Sequence, residues 1–301
     1  MPRLRRNEYV RSHALGNDYL VMDPRALSVR LTPLRIREIC DRHQGVGSDG
    51  ILTLERSRRA DVGLRIFNPD GSEAEKSGNG IRIFAKCLWD HGYLRRRSFT
   101  IDTKGGVVGV TLDVRGRAVR SITAQMGRAT FRSREIPVAG PNREVVDEPV
   151  EAAGERLRIT AVSVGNPHCI VFVDDPATVD LARLGPALEH HPLFPNRTNV
   201  QFVRVDSPHA VTIRIWERGA GETMASGSSS SAVAAACVRH NRTGRDVAVH
   251  SPGGVLRVEV GPDYALRLTG PVEEISRGTL SPDLLARLAR SARRGRRQPR
   301  R

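Results

Sequence analysis

The sequence predicts an α+β fold made of two pseudo-symmetric domains. Three observations carry that reading: polar anchors repeated at matching spacing, short β-branched runs broken by turn residues, and two helical stretches that each begin at a serine. The serines are Ser77, in "EAEKSGNGIRIFAKCLWDHG" (73–92), and Ser226, in "GETMASGSSSSAVAAACVRH" (221–240). Gly-Asn pairs place Asn17 sixty residues before Ser77 and Asn166 sixty before Ser226. Asn68 and Glu217 stand nine residues before the two serines, and Asp49 and Asn199 follow the Gly-Asn asparagines by 32 and 33 residues. Such dipeptides are common in turns. Agreement of several spacings within one residue nevertheless points to a domain copied once, since the period is too long for a solenoid repeat.

The elements follow in order. "YLVMD", "GILTL", "VGLRIF" and "VVGVTLDV" read as strands of the first half, and "CIVFVDD", "AVTIRIWE" and "LRVEVG" as strands of the second. A helix is expected in "LTPLRIREICDRH". Another starts at Ser77, where Ile81, Phe84, Cys87 and Leu88 recur at helical spacing and Gly92 offers a stop. Its counterpart starts at Ser226, runs through "SAVAAACVRHNRTG" and has Gly244 beyond its end. "SPDLLARLARSARR" is a further helix shading into a basic tail. The expected domains are 1–125, completed by 274–286, and 126–273, followed by a disordered tail at 287–301. Two such halves would pack about a pseudo-twofold axis, with matching elements lining the cleft.

Charge and composition exclude several classes. The net charge of +15 falls to +7 without the tail, which holds eight arginines and no acid. Aromatic residues make up only 4%, so no stacking platform accompanies the arginines and a specific nucleic-acid role is not expected. No apolar run is long enough for a membrane span and the N-terminus lacks a signal-peptide core, which reads as cytoplasmic. Cys40, Cys87, Cys169 and Cys237 lack metal-site spacing and disulfide density, so free, buried thiols are expected. Lys76, Lys86 and Lys104 are the only lysines, leaving three candidates for any pyridoxal phosphate Schiff base.

A helix start exposes unpaired N–H groups and partial positive charge, which suits a carboxylate. In Ser77-Gly78-Asn79-Gly80 and Ser226-Gly227-Ser228-Ser229 small residues let a ligand approach the backbone. For either motif alone, ordinary N-capping worth about 1 kcal/mol accounts for the serine. Two motifs in symmetric register suggest a clamp on one anionic group, with a side chain on each face of the ligand. A cofactor-free racemase needs that arrangement, because the α-proton leaves one face and returns to the other.

"HALGNDYLVMD", "RHQGVGSDGIL", "IFNPDGSEAEKSGNGIR", "VGNPHCIVF", "RTNVQFV", "ERGAGETMASG" and "LTGPVEEI" together resemble the diaminopimelate epimerase family over about residues 8–280. The resemblance implies two pseudo-symmetric domains, each a curved β-sheet wrapped around a central helix. No metal and no pyridoxal phosphate is implied, nor any other cofactor. The implied reaction interconverts LL- and meso-diaminopimelate on the route to lysine and peptidoglycan, and the implied assembly is a homodimer. Asn17, Asn68, Asn166 and Asn199 resemble the amides that hold the substrate's amino and carboxyl groups, and Arg218 the guanidinium that takes its distal carboxylate. Glu217 and His168 resemble the groups that tune the acid/base residues. Gly78, Asn79, Gly227 and Ser228 occupy the two helix starts.

The family's catalytic residues are cysteines, and their motif positions here are Ser77 and Ser226. Cys87 and Cys237 cannot replace them, since ten or eleven residues along a helix is about 15 Å. Cys40 and Cys169 fall outside the register of a facing pair. Three readings follow: an epimerase working through serines, with Glu217 and His168 as proton relays; a non-catalytic or repurposed paralogue that binds an amino acid between its domains; and a deliberately inactivated chain. The first is what the scaffold encodes.

Overall fold

A computed structural model describes residues 3–295. The chain forms two compact units, one running to Ile122 and resuming at Pro271, the other covering Thr123–Gly270. The sequence reading put these boundaries after residues 125 and 273.

Unit one opens on strands β1 (Glu8–Ala14) and β2 (Asn17–Met22), paired antiparallel. Leu15 and Gly16 join them with φ of 55° and 91°, the left-handed pair of a type I′ hairpin turn, where glycine is free of strain. The turn sets Asn17 as the first residue of β2. Helix α1 (Pro33–Cys40) follows, with the Thr32 side chain accepting from Arg35 N and Pro33 at its first position. It crosses to β3 (Ile51–Glu55), parallel to β2. The chain continues through β4 (Val62–Phe67) and β5 (Glu73–Ala74) into α2 (Gly78–Asp90). Next, β6 (Ser98–Thr103) runs parallel to β4, and β7 (Gly106–Arg115) turns back on β6. β8 (Ala118–Arg128) carries the chain across the unit boundary.

Unit two repeats the plan. After β9 (Glu148–Ala152), the antiparallel pair β10 (Glu155–Ser163) and β11 (Pro167–Phe172) leads to α3 (Leu181–Glu189). β12 (Asn199–Ser207) then lies parallel to β11, followed by β13 (Ala210–Glu217), β14 (Gly221–Thr223) and α4 (Gly227–Arg239). β15 (Asp246–Ser251) is parallel to β13, and β16 (Gly254–Val260) and β17 (Ala265–Gly270) complete the unit. The chain returns to unit one through β18 (Glu273–Thr279), antiparallel to β1, and α5 (Pro282–Gly295).

Each unit wraps its sheet around one central helix. Gly78 to Ala85 of α2 are buried without interruption, and so are Ser229 to Val238 of α4, an all-round burial that marks an interior helix. Ile81, Ile83 and Phe84 are fully buried, each stabilising unit one by about 1.5–3 kcal/mol relative to exposure. A second core lies under each outer helix: Ile36 and Ile39 of α1 pack with Leu20, Met22 and Ile51, while Leu181, Leu184 and Leu188 of α3 pack with Val200 and Phe202. All four cysteines are free and buried. Burial raises the Cys87 and Cys169 thiols far above their ordinary range and pushes Cys237 up to about 12, as befits packing groups.

Two expectations are corrected. The disordered tail was placed from residue 287, yet α5 continues to Gly295. Leu288 is buried in the α1 core, and Arg287 Nη2 donates to the Gln44 carbonyl. An apolar stripe at helical spacing thus outweighs the local charge; residues 296–301 lie outside the described residues. The end of α4 is set by Asn241, at φ 55°, rather than by Gly244. Asn tolerates the left-handed conformation, and Arg242 N closes the cap on the Cys237 carbonyl. Among the described residues no helix is long and apolar enough to cross a membrane.

Candidate active site

In unit one the site grows from the first turn of α2. Ser77 is its N-cap, at φ −141° and ψ 119°, and its Oγ accepts from Gly80 N at 3.0 Å. Tyr19 Oη lies 3.5 Å from the same oxygen. Asn79 Nδ2 donates to Asn17 Oδ1 at 3.3 Å, and Asn17 Nδ2 donates to Asp49 Oδ2 at 3.0 Å. Arg42 Nη2 bridges Asp49 and Asp18, and Arg11 Nε closes on Asp18 at 2.8 Å. At the other end, Arg82 donates to Asn79 Oδ1 at 2.9 Å and to the Gly78 carbonyl at 3.1 Å. The two amides are therefore fixed in orientation by a continuous network with guanidinium groups at both ends. Arg82 is fully buried, and burial brings its pKa down to about 10, so it stays charged at neutral pH.

Burial raises the Asp18 carboxyl, but the hydrogen bonds and charges of Arg42 and Arg11 outweigh it and hold the group below its ordinary value. A depressed folded-state pKa adds stability above the unfolded value, about 3.9, and loses it as pH falls through the folded value. Melting temperatures measured from pH 5 to 2 should therefore drop more steeply in the parent chain than in Asp18→Asn. Parallel acid limbs would refute this contribution.

In unit two Ser226 caps α4 with nearly the same geometry, φ −142° and ψ 127°. Its Oγ accepts from Ser229 N at 3.5 Å and lies 3.3 Å from Ser228 Oγ. Asn199 Nδ2 donates to the Pro167 carbonyl at 2.8 Å and its Oδ1 accepts from Arg218 N at 3.0 Å, which ties the Glu217–Arg218 turn to the segment holding Asn166 and His168. Arg218 Nη1 donates to the Asn196 carbonyl. Below the turn, the buried Glu189 carboxylate accepts from Gly219 N at 3.0 Å and Trp216 Nε1 at 2.8 Å.

Most of the residues selected from the sequence are thus gathered within their own unit: Asn17, Ser77, Gly78 and Asn79 in one, and Asn166, His168, Asn199, Arg218, Ser226, Gly227 and Ser228 in the other. Asn68 is engaged in its own turn, with Nδ2 donating to Ser72 Oγ at 2.9 Å. Glu217 ends β13 on the same turn as Arg218, and Ala220 N donates to its carbonyl. His168 departs from the relay expected of it. Its side chain is fully buried, it is bonded through Nε2 to Asn166 Oδ1 at 3.1 Å, and burial, assisted by the Arg218 charge, lowers its pKa to about 3. A neutral imidazole in that place orients Asn166 and is a weak base.

Sequence reasoning used Asp49 only as a spacing anchor and missed Arg82, Tyr19 and Glu189. Asp49 was legible: its counterpart Asn199 was already assigned to the site. Arg82 lay inside a helix read for its apolar spacing, where a lone charge looks solvent-facing.

The family model for diaminopimelate epimerase matches residues 9–132 and 160–275, which include the anchors of both units. Diaminopimelate epimerase 2 of a Nostoc species is 45% identical over 280 residues, covering 93% of this chain and 97% of that one. The diaminopimelate epimerase of Desulfitobacterium hafniense is 41% identical over 282 residues, covering 93% and 100%. The chain belongs to the diaminopimelate epimerase family. Solved structures agree on the fold. A hydroxyproline epimerase of Agrobacterium vitis superposes with a TM-score of 0.69 at 16% identity, covering 92% of this chain and 93% of that one. A phenazine biosynthesis protein of Bacillus anthracis gives 0.65 at 19%, covering 92% and 100%. The network around Asn17 and Asn79 and the brace at Glu189 both fall within the residues matched by the diaminopimelate epimerase family model.

Proposed function

We propose that this chain is a cofactor-independent amino-acid epimerase interconverting LL- and meso-diaminopimelate, with Ser77 and Ser226 in the two base positions. The observation that carries the reading is the matched pair of buried helix starts, each capped by a serine in the same backbone conformation. The reaction needs one group on each face of the α-carbon. One oxygen takes the α-proton as the C–H bond breaks, and its electron pair spreads into the α-carboxylate. The opposite hydroxyl then delivers its own proton to the carbon, leaving the pair in exchanged protonation states. The helix-start N–H groups at Gly78, Asn79, Gly227 and Ser228 hold the charge that develops on the carboxylate. Asn17, Asn68, Asn166 and Asn199 take the amino and carboxyl groups, Arg218 takes the distal carboxylate, and Glu217 relays the proton in unit two. The working form in this reading is a cytoplasmic homodimer.

A second reading, an amino-acid-binding paralogue without turnover, is favoured by one observation. Both hydroxyls are engaged as helix caps, an ordinary structural duty. Incubation with LL-diaminopimelate in deuterated buffer separates the two. Deuterium at the α-carbon supports the epimerase; calorimetric binding without exchange supports the binding protein.

A further inference from the structure

The two mirrored helix starts differ in charge. Five residues after Ser77 comes Arg82, and five after Ser226 comes Ser231. Both side chains do the same job, donating back to the carbonyl of the helix's first residue: Arg82 Nη1 to Gly78 at 3.1 Å, Ser231 Oγ to Gly227 at 2.8 Å. One donor is a cation, the other a neutral hydroxyl. Arg82 has no exposed surface, its Nε has no hydrogen-bond partner, and among the described residues no carboxylate pairs with it. A buried, uncompensated charge costs several kcal/mol unless an anion answers it. The nearest place for that anion is the helix start to which its other nitrogens are fastened. The residue before each serine sharpens the contrast, being Lys76 in unit one and Ala225 in unit two.

We propose that Arg82 is a positioning residue whose buried charge makes the Ser77 helix start the stronger anion site of the two, so that a base at position 77 gives up its proton more readily than one at position 226. This rests on reading the serines as base positions. Other groups around Ser77 are Tyr19 from β2 at 3.5 Å, Lys76 before the helix, and Asp49 reached only through Asn17 and Asn79. Around Ser226 stands the Ser228 hydroxyl, and the same unit holds Glu217, Arg218 and the neutral His168. Arg82 brings its cation to the first turn of α2 through Gly78 and Asn79, where the first turn of α4 has the neutral Ser231 hydroxyl on Gly227. The asymmetry gives an otherwise symmetric reaction a preferred starting face.

The test needs no substrate. Ser77→Cys and Ser226→Cys, each alone in the full chain, are alkylated with iodoacetamide across pH, with the parent chain and its four buried cysteines as the blank. The thiol introduced at 77 should titrate about one pH unit or more below that at 226. Adding Arg82→Ser, which copies unit two, should close most of the gap, while Arg82→Lys, which keeps the charge, should preserve it. Coincident titration curves in the two single variants overturn the proposal even if Arg82→Ser fails to fold. So does an equal upward shift with lysine and with serine at 82. Separated titrations without deuterium exchange would count against the epimerase reading alone, and exchange with coincident titrations against this one alone.

Discussion

The double variant Ser77→Cys, Ser226→Cys is expected to exchange the α-proton of LL-diaminopimelate about a thousand-fold faster than the parent chain, within the range of roughly 10²–10⁴ that general acid–base groups contribute. A thiol titrates near 8.5 and an alcohol close to water's value of about 15.7, so forming the oxygen base costs about 10 kcal/mol more. A helix start and neighbouring cations recover only part of that difference for an alcohol, whereas they bring a thiol into the neutral range. The substitution replaces one oxygen by sulfur at each cap and leaves the backbone geometry in place. Deuterium incorporation per enzyme, followed by mass spectrometry, reads the effect. An unchanged rate would mean that the reacting protons pass through other groups.

Glu189→Ala should lower the melting temperature by about 5–15 °C and weaken ligand binding together with it. Its buried carboxylate accepts from two donors, the Gly219 amide and the Trp216 indole, and bonds to a charged acceptor contribute about 1.5–3 kcal/mol each. A carboxylate at the C-terminal end of α3 opposes the helix dipole. Those donors, with Arg197 Nη1 at 3.8 Å, offset the penalty. Releasing them frees the turn that presents Glu217 and Arg218, so affinity should fall with stability. Glu189→Gln, which keeps one acceptor, should recover about half of the melting temperature. A full-strength melt in Glu189→Ala, recorded by calorimetry, would remove the brace from the account.

The duplication was legible because it was written in turn chemistry. Gly-Asn pairs and serine caps hold their positions in both units, and the strands between them carry β-branched residues in plain runs. α3 escaped notice because Gly185 and Pro186 sit in its middle. The repeat itself marks a helix there, since α1 begins 16 residues after Asn17 and α3 begins 15 after Asn166. Gly185 is needed because a side chain would meet the Trp216 ring at 2.5 Å. The asparagines proposed as site amides stand out in motif and spacing. What orients them does not, because Arg82, Asp18 and Glu189 act through contacts whose partners lie far away in sequence or inside a helix of apolar appearance. His168 shows the opposite error, since an imidazole beside a motif promises proton transfer until its burial is known.

The pairing of β1 with β18 joins the first strand of unit one to its last, Glu8 lying opposite Thr279. Unit two, by contrast, is one uninterrupted stretch. During synthesis from the N-terminus, the second unit has all its strands before the first receives its last. Domains ordinarily finish in the order they emerge from the ribosome; here the later one closes earlier, and the earlier one waits with an unpaired strand edge until β18 has followed the whole of unit two.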